Sequence, residues 1–168
     1  YRILKALSET LRPYRGTMEQ YQTFITRFDV IQAKAQLAIK MKATMPQIKA
    51  HPHVHIKDGY HPLLYLKNQR EGKKTIPFDL IFENNNRILV LSGPNAGGKS
   101  IAMKSVGLLQ IMVQAGLLVP VDPASEFGIF KQFFADIGDQ QSIEDDLSTY
   151  SSRLKNARQF LQYANENT

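Results

Sequence analysis

Eight residues of this chain are spaced to hold phosphate: Gly93-Pro94-Asn95-Ala96-Gly97-Gly98-Lys99-Ser100 fits the pattern G-x-x-x-x-G-K-[ST]. The chemistry such a loop performs is electrostatic. Backbone N–H groups point inward, a following helix N-terminus favours negative charge, and glycines let the main chain approach the phosphate oxygens. Within that pattern Lys99 reaches the β- and γ-phosphates, and the Ser100 hydroxyl ligates Mg²⁺. A chance match inside a Gly-rich turn is the competing reading, and the flanking residues argue against it.

Other polar groups have chemistry to weigh. His51, His53 and His55 alternate, so in a strand they would share one face at metal-compatible spacing. No obvious fourth ligand lies nearby, although His61 follows, and a solvated strand face is the plainer reading. His61-Pro62-Leu63-Leu64 reads as a rigid entry into a strand, since proline holds the preceding residue extended. Asp136-Ile137-Gly138-Asp139-Gln140-Gln141-Ser142 follows the apolar Phe133-Phe134-Ala135. Polar residues just past a strand are where an open α/β sheet places its ligand. There Asp136 or Asp139 could bind metal-coordinated water, and Gln140 or Gln141 could orient a water near a γ-phosphate; an ordinary polar loop explains the same residues. Asp145-Asp146-Leu147-Ser148-Thr149-Tyr150-Ser151-Ser152 opens a last helix. Its hydroxyls and carboxylates suit N-caps, and a Ser there can also donate to phosphate; periodicity does not choose between the two.

The elements that must position these groups follow from hydrophobic period. Before the loop, Arg87-Ile88-Leu89-Val90-Leu91-Ser92 is apolar enough to be a buried parallel strand. After it, Ile101, Met103, Val106, Leu108, Leu109, Met112 and Val113 cover one side of a helix over 99–115, with Gly116 as its C-cap. Upstream, residues 17–44 read as a long amphipathic helix. Met18, Tyr21, Phe24, Ile25, Phe28, Ile31, Ala35, Ala38 and Met41 recur at three- and four-residue steps, and packing against a core is their expected role. Thr17 and Gln20 are compatible with a capping box, and Pro46 marks the exit. Residues 1–11 form an earlier helix, separated by Pro13 and Gly16. Strands are expected at Val54–Ile56, Leu63–Leu66, Ile76–Phe82, Leu117–Val121 and Phe127–Phe134, with Asn84-Asn85-Asn86 as a turn. A helix from Ser148 to Ala164 closes the chain. No internal repeat is present.

Composition sets the outer bounds. At 168 residues one domain with a real core is expected, and a chain that begins with Tyr1 reads as a fragment or a processed chain. No apolar stretch approaches the ~20 residues of a membrane span. The absence of cysteine excludes disulfides and thiol catalysis and fits a cytoplasmic protein. Net charge is +6, unevenly divided: residues 1–75 hold 14 Lys and Arg against 5 Asp and Glu, whereas 76–168 hold 7 against 10. A basic half beside an acidic half suits contact with a polyanion such as nucleic acid, and equally a solvated helix.

Taken in order, these segments resemble a known family. Ser92 to Ser100, with its Pro-Asn pair and double glycine, is similar to the phosphate loop of the MutS-type DNA mismatch repair ATPases. His61-Pro62-Leu63-Leu64 resembles that family's element ahead of the ATPase core. Gly138-Asp139-Gln140-Gln141-Ser142-Ile143-Glu144-Asp145-Asp146-Leu147-Ser148-Thr149 is most similar to its second bacterial branch, which lacks the mismatch-reading domain and is often followed by a nuclease-like domain. Phe28 to Ala35 resembles the end of the family's helical lever.

The resemblance implies an α/β P-loop NTPase (ABC-type ATPase) domain fragment. Residues 1–46 would be the helical lever segment and 47–168 the N-terminal part of the ATPase domain, truncated before Walker B. It implies nucleotide contacts from Pro94, Asn95, Ala96, Gly97, Gly98, Lys99, Ser100 and Ile101, with Mg²⁺ on Ser100. It also implies a homodimer in which Ser148 is presented in trans to the γ-phosphate of the opposite subunit. The strand around Ile76 to Phe78 falls where the family places adenine. ATP/ADP would be the ligands; branched or recombination DNA, and also stalled ribosomes, would be the targets of the whole protein. Ala96 and Ile101 depart mildly from the family's wording. No complete catalytic set is expected within these residues, so negligible hydrolysis by the fragment alone is expected. Other P-loop ATPases of chromosome-structure or ABC type, and a non-catalytic nucleotide-binding module, are the alternatives.

Overall fold

A computed structural model describes residues 1–82, 88–93, 98–137, 146–165 and 168, with the backbone alone described for 146–152. Two helices lead: α1 (Arg2–Leu11) and α2 (Arg15–Met41), joined by a 3₁₀ turn at Arg12–Tyr14. Pro13 and Gly16 do not part them widely. Pro13 sits at the start of the tight turn, where its missing N–H costs nothing, and Leu11 and Arg15 both keep right-handed helical angles. Gly16 lies inside α2. That helix begins at Arg15 without a side-chain cap, so the expected capping box at Thr17 is not formed.

Nor does α2 run on to Pro46. Lys42 takes a left-handed backbone (φ 49°), its N–H donating to Ile39 O and the Ala43 N–H to Ala38 O (2.9 Å). This pair of bonds is a Schellman stop, which satisfies carbonyls the helix end would leave bare. The stripe expected to pack on a core does so only at its end. Ala38 and Met41 (1% exposed) are buried, while Phe24 is 66% exposed and Tyr21, Ile25, Phe28 and Ile31 lie open with it. Burial follows reach, because the rest of the core meets only the last turns of α2.

The sheet has four strands in the order β1 (Gln47–Lys49), β4 (Glu126–Gly128), β2 (Val54–Gly59), β3 (Phe78–Ile81). β1 and β4 are parallel, with Ile48 opposite Phe127. The other pairs are antiparallel: Val54 faces Phe127, and Ile56 faces Leu80. Of the strand expected over Leu117–Val121 only a bridge from Val119 to Thr44 forms, and the one expected over Phe127–Phe134 shortens to β4.

Two expectations are overturned. Leu63, Leu64 and Leu66 lie on α3 (Pro62–Arg70), not on a strand. His61 is extended (ψ 115°), as a residue before proline should be, but it serves as the N-cap, with its Nδ1 accepting from the Leu64 N–H at 3.3 Å. Proline at the first helical position is favoured because that N–H has no partner in any case. The buried parallel strand expected over 87–92 is not seen at 88–92, which pair with no strand among the described residues, and Ile88 is 85% exposed; Arg87 lies outside the described residues. An apolar run becomes a buried strand only when neighbours supply the ladder on both sides. The turn expected at Asn84-Asn85-Asn86 lies outside the described residues.

α4 (Lys99–Gln114) forms where a helix was expected, although Ile101 and Met103 of its apolar side are exposed, and Gly116 (φ 68°) closes it: the Gly116 N–H donates to Val113 O and the Leu117 N–H to Met112 O. α5 (Asp146–Tyr163) follows. The core consists of Met41, Val54, Ile56, Leu109, Met112, Val119, Val121 and Phe127. It joins the end of α2, the middle of the sheet and the inner face of α4. Burying a side chain such as Phe127 contributes about 2–3 kcal/mol. Lys34 of α2 adds a polar strut, its Nζ donating to Ala115 O (2.9 Å) and Gly116 O (3.2 Å) at the C-terminus of α4. A cation is favoured there by the helix dipole.

Candidate functional site

The site is the start of α4. Gly98 caps the helix in the left-handed region (φ 75°, ψ 9°), where a side chain would be strained and glycine is not. It offers no side-chain acceptor, and no acidic residue stands in the first turn of α4. The amide N–H groups there therefore face no carboxylate of their own turn, which leaves a positive helix end available to an anion. Gly93 opens the loop at φ 144°. The Lys99 ammonium donates to the Gly93 carbonyl, closing the loop's base across six residues of chain. Ser100 and Ile101 are exposed, and Lys104 adds a second cation one turn further on. Gly93, Gly98, Lys99 and Ser100 are thus brought together. Pro94, Asn95, Ala96 and Gly97 lie outside the described residues.

Ser148 lies in the first turn of α5, on a different element from the loop, and its side chain is outside the description. Asp136 and Ile137 are exposed. Gly138 to Ser142, with Asp139, Gln140 and Gln141, lie outside the described residues, as does Asp145. Ile76, expected in a strand, precedes β3 and is exposed, whereas Phe78 begins it.

His61 lies close to the site through Lys104. Burial, together with the Lys104 ammonium, lowers its pKa from the ordinary 6.5, against an opposing backbone hydrogen bond. The neutral ring is also what the cap requires, because Nδ1 must accept from Leu64.

The three alternating histidines do not share one strand face. His51 and His53 precede β2 rather than lying in it, and no group of three or more His, Asp or Glu among the described residues could hold an ion. The His51 and His53 rings meet edge to face at 6.1 Å. Glu126 is the residue that organises them: its carboxylate lies 3.1 Å from Lys49 Nζ and 3.0 Å from His53 Nε2. The latter contact is not a hydrogen bond. The Lys49 hydrogen bond holds the Glu126 carboxyl below its ordinary 4.5, helped by the Lys49, His53 and His55 charges and opposed by desolvation.

Sequence reasoning passed over Gln110 and Gln114. The signal was present: two amides, four apart, interrupting the apolar face of α4. Gln110 reaches the last residue of β4 and Gln114 the backbone that follows it.

Residues 89–168 match MutS domain V. The Endonuclease MutS2 of Pediococcus pentosaceus is 41% identical over 165 residues, 98% of this chain and 20% of that protein. That of Lachnoclostridium phytofermentans is 41% identical over 167 residues, covering 99% and 20%. That of Enterococcus faecalis is 44% identical over 155 residues, covering 92% and 19%. The chain spans about a fifth of the length of these curated relatives. No described helix is long and apolar enough to cross a membrane.

Proposed function

We propose that this chain, which belongs to the MutS family as a segment of a MutS2-like protein, is the ATP-binding part of a DNA-binding ATPase. The observation that carries the reading is the left-handed glycine start of α4, with Lys99 at its first position and no carboxylate in its first turn. A triphosphate with Mg²⁺ fits these residues chemically. The anion has a positive helix end and an ammonium, and the cation has an exposed hydroxyl at Ser100. Pro94, Asn95, Ala96, Gly97 and Gly98 would supply the backbone cradle, Lys99 the β- and γ-phosphate contact, and Ile101 the packing beneath it. When bound, Mg²⁺ neutralises charge on the phosphate oxygens. Lys99 would exchange its Gly93 carbonyl for phosphate oxygens, so the lysine is held near its place before ligand arrives.

Ser148, at the start of α5, would act on the γ-phosphate of a second subunit, making each site composite and the protein a homodimer. Branched or recombination DNA is the proposed target of the whole protein, with stalled ribosomes second, in the cytoplasm. The positive excess of residues 1–75 supports a polyanionic partner. The relatives are named endonucleases, and that activity is not assigned to these residues.

The test is titration of the protein and its Lys99→Ala variant with a fluorescent ATP analogue. Removing a charge-assisted contact should weaken binding about 10- to 100-fold. Equal affinity for the two proteins would sink the reading.

A further inference from the structure

α4 is joined by side-chain amides to the last residue of β4 and to the chain that leaves it. Gln114 makes both bonds of a strand neighbour: its Nε2 donates to Phe130 O (2.8 Å), and the Phe130 N–H donates to its Oε1 (2.9 Å). Gln110, 3% exposed, donates to Gly128 O (2.8 Å) and to Gln114 Oε1 (3.1 Å). Gln110 Oε1 is buried and unbonded among the described residues. Leaving a buried acceptor bare costs free energy, so the amide is oriented by the two acceptors it serves rather than by its own needs. Two side chains of one helix thereby hold the last residue of β4 and Phe130, two residues beyond it.

The held segment has a destination. Phe130 meets Phe133 at 6.0 Å between ring centroids, and Phe134 stacks on Phe160 of α5 at 5.0 Å and 29°. Asp136 follows directly. Contacts therefore run without a gap from the helix that begins at Lys99 to the helix that carries Ser148. We infer that Gln110 and Gln114 are positioning residues: an amide latch that ties residues 128–137, and α5 beyond them, to the phosphate-loop helix. This inference rests on the ATP reading above. It assigns the latch the task of carrying nucleotide occupancy at α4 to the segment that bears Asp136 and to the helix that bears Ser148.

The experiment uses the full-length protein, with Gln114→Leu removing both bonds to Phe130 at nearly constant size. Gln114→Glu keeps the acceptor for the Phe130 N–H and loses the donor. Nucleotide affinity is measured with a fluorescent ATP analogue, and amide hydrogen exchange is followed with and without ATP. In the unmodified protein ATP should slow exchange about threefold or more both at 98–104 and at 129–137. In Gln114→Leu the slowing at 98–104 should persist with affinity within about twofold, while that at 129–137 is lost; Gln114→Glu should retain part of it. Unchanged slowing at 129–137 in Gln114→Leu overturns the latch alone. Loss at both segments together assigns Gln114 a merely structural role and also overturns it. Should Gln114→Leu fail to fold, Gln114→Glu decides: full slowing at 129–137 overturns the latch and reduced slowing supports it. Absence of nucleotide binding by the unmodified protein sinks the ATP reading, and the relay with it.

Discussion

His61 joins local structure to electrostatics. It caps α3 through a neutral Nδ1 while burial and Lys104 disfavour its protonated form. The folded protein therefore takes up this proton less readily than the unfolded chain. The stabilising contribution is complete above the ordinary 6.5 and is lost as pH falls through the lower folded value. The melting temperature should accordingly fall as pH is lowered from about 7 to 5, and His61→Asn should flatten that step, because Asn caps a helix without titrating. Parallel profiles for the two proteins would remove His61 as the cause. Glu126 acts in a different window. Its lowered carboxyl contributes above its ordinary 4.5, and the contribution is lost only in stronger acid.

At the scale of elements, helix ends decide more than helix interiors. α2 and α4 close with the same pair of bonds, yet the left-handed position is Gly116 in one and Lys42 in the other. A lysine there carries the Cβ penalty that glycine escapes. Lys42→Gly should raise stability by about 0.5–1 kcal/mol, and Gly116→Ala should lower it by about 1 kcal/mol. Urea titration reads both as shifts of midpoint at constant slope. A midpoint that falls in Lys42→Gly would mean that the lysine side chain contributes more than its backbone costs.

The whole molecule is unusually open. Its surface of 13561 Å² exceeds the roughly 8,400 Å² expected of a compact monomer of this length. Much of the excess is the apolar face of α1 and of the first two-thirds of α2, together with residues 88–91. The composite site proposed for Ser148 belongs to this scale as well. Mixed dimers of the whole protein that carry Lys99→Ala on one subunit and Ser148→Ala on the other should keep about half of the ATP turnover, because both changes fall in one site if Ser148 acts in trans. Turnover near that of the doubly defective protein would place Ser148 in its own subunit's site.

How much was legible beforehand follows from the range of the forces involved. The helices expected at 1–11, 17–44, 99–115 and 148–164, which the structure places at 2–11, 15–41, 99–114 and 146–163, are written in short-range terms: 3.6-residue period and turn residues at their ends. The sequence alone determined those, together with the family resemblance that the comparisons support. It misled where one local pattern serves two structures. His61-Pro62 is extended at its first residue whether a strand or a helix follows, and only the cap bond from Leu64 chooses the helix. The run at 88–91 has strand composition, but a strand also needs partners, which no local pattern supplies. Tertiary structure alone decided that Glu126 gathers Lys49 and His53, that Lys34 reaches the end of α4, and that Gln110 and Gln114 hold the chain beyond β4. Each of these joins residues 16 or more apart in sequence. Hydrogen bonds and charges act over a few ångströms, so which distant groups come that close is set by how the sheet and helices pack.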